Sequence, residues 1–163
     1  MTPLARSALV ALCALLVTPV AAALRAPTPG WVLEPGRALG PITMGMTRAE
    51  LGRVGPVSPH PAGSLGPNVL VSRAWTFFLD PQGRLRIARR PLGLTPGVVI
   101  AGRRIAPAAT LNDIARMRIA GCTPIQRRIG GNVITCRARW GWTHFTEGAV
   151  SRGRVEVDIS RDR

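Results

Sequence analysis

The sequence predicts an α+β fold: an antiparallel sheet covered on one face by short helices, laid out as two degenerate helix-hairpin half-repeats at about 40–93 and 94–160. Three observations predict it. Thr47 with Glu50, and Thr110 with Asp113, are spaced as helix-start capping boxes. Residues 69–79 are rich in β-branched and aromatic side chains, and apolar and polar residues alternate at period two through 154–159, as strands require. Turn residues then divide the chain so that the order strand, turn, helix, hairpin can be read twice.

Composition bounds what such a fold can be. At 163 residues the chain is long enough for one domain with its own core, and 46% hydrophobic residues argue against disorder. Eighteen glycines and 15 prolines imply many turns and few long helices. The formal net charge is +14, and all 22 basic residues are arginine. One reading of this charge is an anion-seeking surface; the other is a compositional bias without a binding role. Arg89-Arg90, Arg103-Arg104 and Arg127-Arg128 are dispersed, and no run of five basic residues occurs, which favours a solvated surface.

Residues 1–23 have the features of a secretory signal peptide. Arg6 supplies the positive region, 8–17 the apolar core, and Ala21-Ala22-Ala23 the small-residue cleavage site. Cys13 would leave with it. The remainder, 24–163, is expected to be a single secreted or periplasmic domain with no transmembrane segment.

The elements follow in order. Residues 24–36 are Pro-rich and read as an extended arm adding an edge to the sheet, with Trp31 as a core plug. Ile42-Thr43-Met44 is a short strand and Gly45 a turn. Thr47 caps a helix stapled by Met46 and Leu51 and ended by a left-handed Gly55. Residues 56–68 read as a surface loop, in which His60 is solvated. Residues 69–79, rich in β-branched and aromatic side chains, are the clearest strand. Asp80-Pro81-Gln82-Gly83 forms a turn, with Asp80 bonding the backbone, and Leu85 and Ile87 lie on the returning strand.

After a linker at 90–96, 97–100 is a second apolar strand, and Thr110 caps a helix running to Met117 or a little beyond. Its apolar stripe is Leu111, Ile114, Ala115 and Ile119. Residues 125–129 and 133–140 are strands joined across Gly130-Gly131-Asn132, residues 143–145 extend the sheet, and Val155, Val157 and Ile159 mark a final half-buried strand. Cys122 and Cys136 are most simply one disulfide in a secreted chain.

No catalytic constellation emerges. His60 and His144 lack a neighbouring nucleophile pattern, and no phosphate-cradling loop occurs. His144 and Glu147 could act as an acid-base pair only if the fold supplied a third group. No metal or cofactor is expected. Candidate binding residues are Trp75, Arg137, Arg139, Trp140, Trp142 and His144. If 139–145 is one strand, Trp140 and Trp142 point the same way, and indoles beside arginines suit a protein-binding face. The alternative is that both indoles are core. The chain has no tyrosine and no RNA-binding signature, which argues against nucleic acid.

The stretch Ile42-Thr43-Met44-Gly45-Met46-Thr47-Arg48-Ala49-Glu50-Leu51 resembles the "GMT-x-x-[EQ]-V" signature of the β-lactamase inhibitory protein and of the SmpA/OmlA outer-membrane assembly lipoproteins. The second half, with Cys122, Cys136, an aromatic strand and Thr146-Glu147-Gly148-Ala149-Val150, resembles an inhibitory-protein repeat in layout. The resemblance implies helix pairs on a continuous antiparallel sheet whose open face grips a partner. The chain departs from both groups. It has no lipid-attachment cysteine, the first half has no cysteine pair, and Val71-Ser72-Arg73-Ala74 lacks the acidic residue the inhibitor uses. The expected function is therefore non-enzymatic binding of an extracytoplasmic protein through an aromatic and arginine sheet face. The alternative is a basic protein held to an anionic polymer or lipid surface of the envelope.

Overall fold

The computed structural model describes residues 29–61, 66–148 and 153–161, and the expected signal peptide lies outside them. Three strands come first: β1 (Trp31–Glu34), β2 (Ala38–Leu39) and β3 (Ile42–Thr43). Helix α1 (Arg48–Val54) follows, then an antiparallel meander of β4 (Ser58–Pro59), β5 (Val69–Ser72), β6 (Trp75–Leu79) and β7 (Leu85–Pro91). A 3-10 turn at Leu92–Leu94 leads to β8 (Val98–Ile100), β9 (Arg103–Ile105) and α2 (Leu111–Arg116). A second meander closes the chain: β10 (Gln126–Arg128), β11 (Gly131–Ala138), β12 (Gly141–Gly148) and β13 (Val155–Arg161).

The expected α+β class is overturned. The protein is mostly β, with a five-stranded sheet ordered β3-β2-β1-β8-β9 and an eight-stranded sheet ordered β10-β11-β12-β13-β7-β6-β5-β4. The two helices are too short to roof the large sheet. α1 spans seven residues and buries Leu51, and α2 spans six and buries Leu111 and Ile114. Both capping boxes form: the Thr47 and Thr110 amides donate to Glu50 Oε2 (2.7 Å) and Asp113 Oδ2 (2.9 Å). The Thr47 amide and hydroxyl lower the Glu50 pKa, and the Thr110 hydroxyl and amide lower that of Asp113. A cap fixes where a helix begins, however, and not its length. Arg118 takes a left-handed φ of 47° just beyond α2, so Ile119 is buried from a loop and not from the helix.

Other expectations change with the second sheet. The arm carrying β1 is the centre of the five-stranded sheet and not an edge, and it pairs in parallel with β8, Trp31 opposite Val98. The strand read at 69–79 is two strands, folded back at Arg73, whose φ is 48°. The linker read from residue 90 begins inside β7. Gly55 is extended, φ 171°, and not left-handed. The Asp80 turn forms as its residues dictate: Oδ1 accepts from the Gln82 and Arg84 amides at 2.9 Å each, and Gly83 has a φ of 72°.

One contiguous core joins the layers. Leu33, Leu39, Ile42, Val98, Ile100 and Ile105 come from the small sheet. Leu70, Phe77, Ala88, Ile134, Phe145, Val157 and Ile159 come from one face of the large sheet, and the helix side chains fill between. Backbones touch where β1 turns toward β2. Gly36 has a φ of 70°, and a Cβ there would overlap the Gly141 backbone at the start of β12. The Cys122–Cys136 disulfide ties the segment after α2 to β11 across 14 residues. Among the described residues no helix is long and apolar enough to cross a membrane. Together with the disulfide, that is compatible with an extracellular or periplasmic protein.

Two stability effects are expected. The Gly36→Ala variant should lose about 1–3 kcal/mol in chemical denaturation, because it strains a left-handed turn and pushes the sheets apart. Replacing both disulfide cysteines with alanine should cost about 3 kcal/mol by loop closure, read as a lower unfolding midpoint.

Candidate functional site

Along each strand of the large sheet, alternate side chains face away from the core. On β12 these are Trp142, His144 and Thr146, half-buried between the inward Gly141, Thr143 and Phe145. Strand register then fixes their neighbours. Thr135 and Arg137 of β11 lie opposite His144 and Trp142, and Asp158 and Ser160 of β13 lie opposite the same two residues on the other side. Asp158 in turn faces Arg89 of β7, and Arg89 faces Thr76 of β6. A polar row therefore crosses five strands: Thr135, His144, Asp158, Arg89 and Thr76.

Two of the row's four links are bonded, Arg89 to Asp158 and Thr135 to His144. Arg89 Nε and Nη2 donate to Asp158 Oδ1 and Oδ2 at 2.8 and 2.9 Å, a bidentate fork, and Glu156 Oε2 lies 3.8 Å from Nε. The Asp158 side chain is 9% exposed and that of Arg89 43%. The fork raises the Arg89 pKa above its ordinary value against the opposing effect of burial. The Arg89 guanidinium also lies 5.9 Å from the Phe78 ring centroid. Thr135 Oγ1 lies 2.9 Å from His144 Nδ1, and the Trp142 ring is tilted 41° over the imidazole at 4.1 Å.

Burial pushes the His144 pKa below 6.5. Asp158 opposes that shift and Arg128 reinforces it, so the imidazole is neutral at pH 7. Burial raises the Glu156 carboxyl, with Arg89 opposing. A shallow cavity of about 400 Å³ lies over these groups, bounded by Arg89, Arg128, Val133, His144, Glu156 and Asp158.

The geometry offers recognition more readily than proton transfer. Arg89 takes both oxygens of Asp158, so the carboxylate that faces His144 is occupied by the guanidinium and is not aimed at the imidazole. Glu147 lies opposite Asn132 and Val155, three residues along the ladder from the His144 position and so on the other strand face. Among the described residues no three His, Cys, Asp or Glu side chains gather as a metal site.

Of the residues singled out from sequence, Arg137, Trp142 and His144 share this outer face. Trp140 does not share a strand with Trp142. It lies in the turn between β11 and β12, 48% exposed, with the Arg139 guanidinium 5.1 Å from its ring. Trp75 lies on the inner face at 6% exposure. Arg89, Asp158, Glu156 and Thr135 escaped the sequence reading. Asp158 had only alternation as a signal, lying between Val157 and Ile159; Arg89 had none, since it shares its strand face with Ile87 and it is Ala88 that points to the core. No sequence pattern says that β7 and β13 are neighbours. Compared with protein families, curated proteins and solved structures, the chain matches none.

A pH dependence follows. The folded state holds His144 below its unfolded pKa, so the associated stability is complete above about pH 6.5 and is lost as pH falls toward the folded pKa. Thermal melts should show a downward slope below pH 6.5 that flattens in His144→Gln; an unchanged slope would assign it to other groups.

Proposed function

We propose that this is a secreted or periplasmic, non-enzymatic domain, exported by residues 1–23, that binds another protein through the outer face of its large sheet. The observation that carries this reading is Trp142. Its indole is half-buried on the imidazole of His144, with Arg137 exposed opposite it across the β11–β12 ladder. Trp and Arg are the residues on which interface energy concentrates. The Arg89–Asp158 fork beside them holds the middle of the face rigid and lowers the ordering cost of association. Arg139 and Trp140 stand at the rim. The resemblance to the inhibitory protein and to the assembly lipoproteins adds only the likeness of the motif residues at 42–51, since the helix-covered sheet it implied is not this fold.

A second reading has its own observation. At the β10–β11 turn, Ile129 is fully exposed beside the exposed Arg127 and Arg128, an apolar tip flanked by cations that suits an anionic polymer or lipid surface of the envelope.

The two separate in one experiment. The mature protein is immobilised, presented with an extracytoplasmic extract and washed in rising salt. A partner gripped by the outer face should remain at about 1 M ionic strength, where the Debye length is about 3 Å, and Trp142→Ala should weaken it by about 2 kcal/mol. Release by salt alone, with Trp142→Ala without effect and Arg127→Glu decisive, would replace the first reading with the second.

A further inference from the structure

The outer face uses one arginine of the Arg89-Arg90 pair. The other turns to the inner face of β7, opposite Val157. The Arg90 guanidinium lies 5.1 Å from the Trp31 ring and 5.0 Å from the Trp75 ring. Trp31, Trp75 and Phe77 form a stacked ladder with centroids 5.7 and 5.6 Å apart and interplanar angles of 10° and 16°. Gly40 leaves room for it, since a Cβ there would come within 2.5 Å of the Trp31 ring. Arg90 Nε and Nη2 both donate to the Leu94 carbonyl. No carboxylate pairs with Arg90 among the described residues, whereas Arg37, Arg89 and Arg116 each have one. Burial pushes the Arg90 pKa down, with no opposing charge.

A cavity of about 290 Å³ opens against this guanidinium. Both indoles, Leu51 and Val54 of α1, and Phe77 form its apolar walls, and Ser72 and Arg73 lie at the turn between β5 and β6. Trp31, expected from sequence to plug the core, is only half-buried here. A partly desolvated cation without a counter-ion is unfavourable, and the rings over it return about 0.5–2 kcal/mol. A carboxylate would supply the missing charge through a short, charge-assisted bond. The indole walls require that such an anion carry an apolar body, since a bare inorganic anion would place most of its oxygens against rings. The volume, just below the ligand-pocket range of about 300–1,000 Å³, limits that body to roughly one ring.

We propose that this cavity binds a small organic monocarboxylate, its ring or short apolar chain against Trp31 and Trp75 and its carboxylate on Arg90. The site lies on the opposite face of the sheet from Trp142 and stands or falls separately from the outer-face reading.

Phenylacetate is the probe, with 2-phenylethanol and inorganic phosphate as comparisons, measured by titration calorimetry on the mature protein. Fluorescence of a Trp140→Phe, Trp142→Phe background, in which Trp31 and Trp75 are the only indoles, is read in parallel. Phenylacetate should bind saturably and shift that emission, at least about tenfold tighter than the alcohol, with phosphate silent. Arg90→Met should lose about tenfold or more, and Arg90→Lys less, because it keeps the charge but not the fork. Equal affinity for acid and alcohol, phosphate binding as tight as phenylacetate, or no saturable binding would overturn the proposal. The alcohol comparison uses unaltered protein and stands even if Arg90→Met does not fold.

Discussion

The seam between β7 and β13 is the pairing on which the rest depends. Each meander buries one face against the core, but only this seam makes the two into a single eight-stranded sheet. Inward, Ala88 sits opposite Ile159, both without exposed surface, and the small side chain lets the large one fill the core at the join. Outward, Arg89 closes its fork on Asp158. Each pleat sends neighbouring residues to opposite faces, so the same register that aims Arg89 outward aims Arg90 inward. A slip of one residue would exchange them, leaving Asp158 buried without its partner and a guanidinium facing the wrong side.

The two faces differ because different things cover them. The inner face meets the five-stranded sheet and both helices, and its arginine is partly desolvated beside two indole rings. The outer face leaves its polar row partly exposed on either side of the buried Asp158, and its arginine is paired. One dipeptide thus supplies a rigid strut to one surface and a cation without a counter-charge to a cavity on the other. Where the sheets come closest, Gly36 against Gly141 sets the spacing with no side chain between them. The Cys122–Cys136 bond holds α2 beside β11 from the other end.

Local chemistry was legible. Thr47 with Glu50 and Thr110 with Asp113 cap helices because each bond closes within three residues. The Asp80 turn forms from its own four residues, and the alternation at Val155, Val157 and Ile159 marks β13. Fold class is not legible for an equally local reason: two good helix starts say nothing of whether the helices are long enough to cover a sheet. Strands of two or three residues, such as β2, β3 and β9, carry too little pattern to announce a second sheet, and the parallel β1–β8 pair joins segments far apart in the chain. The candidate site was legible by half, through Arg137, Trp142 and His144. Arg89 and Asp158 are separated by 69 residues, and nothing short-range links them.

By itself, then, the sequence determined what neighbouring residues settle among themselves: the caps, the tight turns, the alternation of the strands and the single cysteine pair left in 24–163. Tertiary structure decided which strands meet, that a second sheet and not a helical layer covers the first, and on which side of the seam each arginine of one dipeptide lies. The physical reason is that ladder pairing joins backbone groups that are alike in every residue. Partner choice is therefore left to the burial of whole faces, which belongs to the folded chain and to no segment of it.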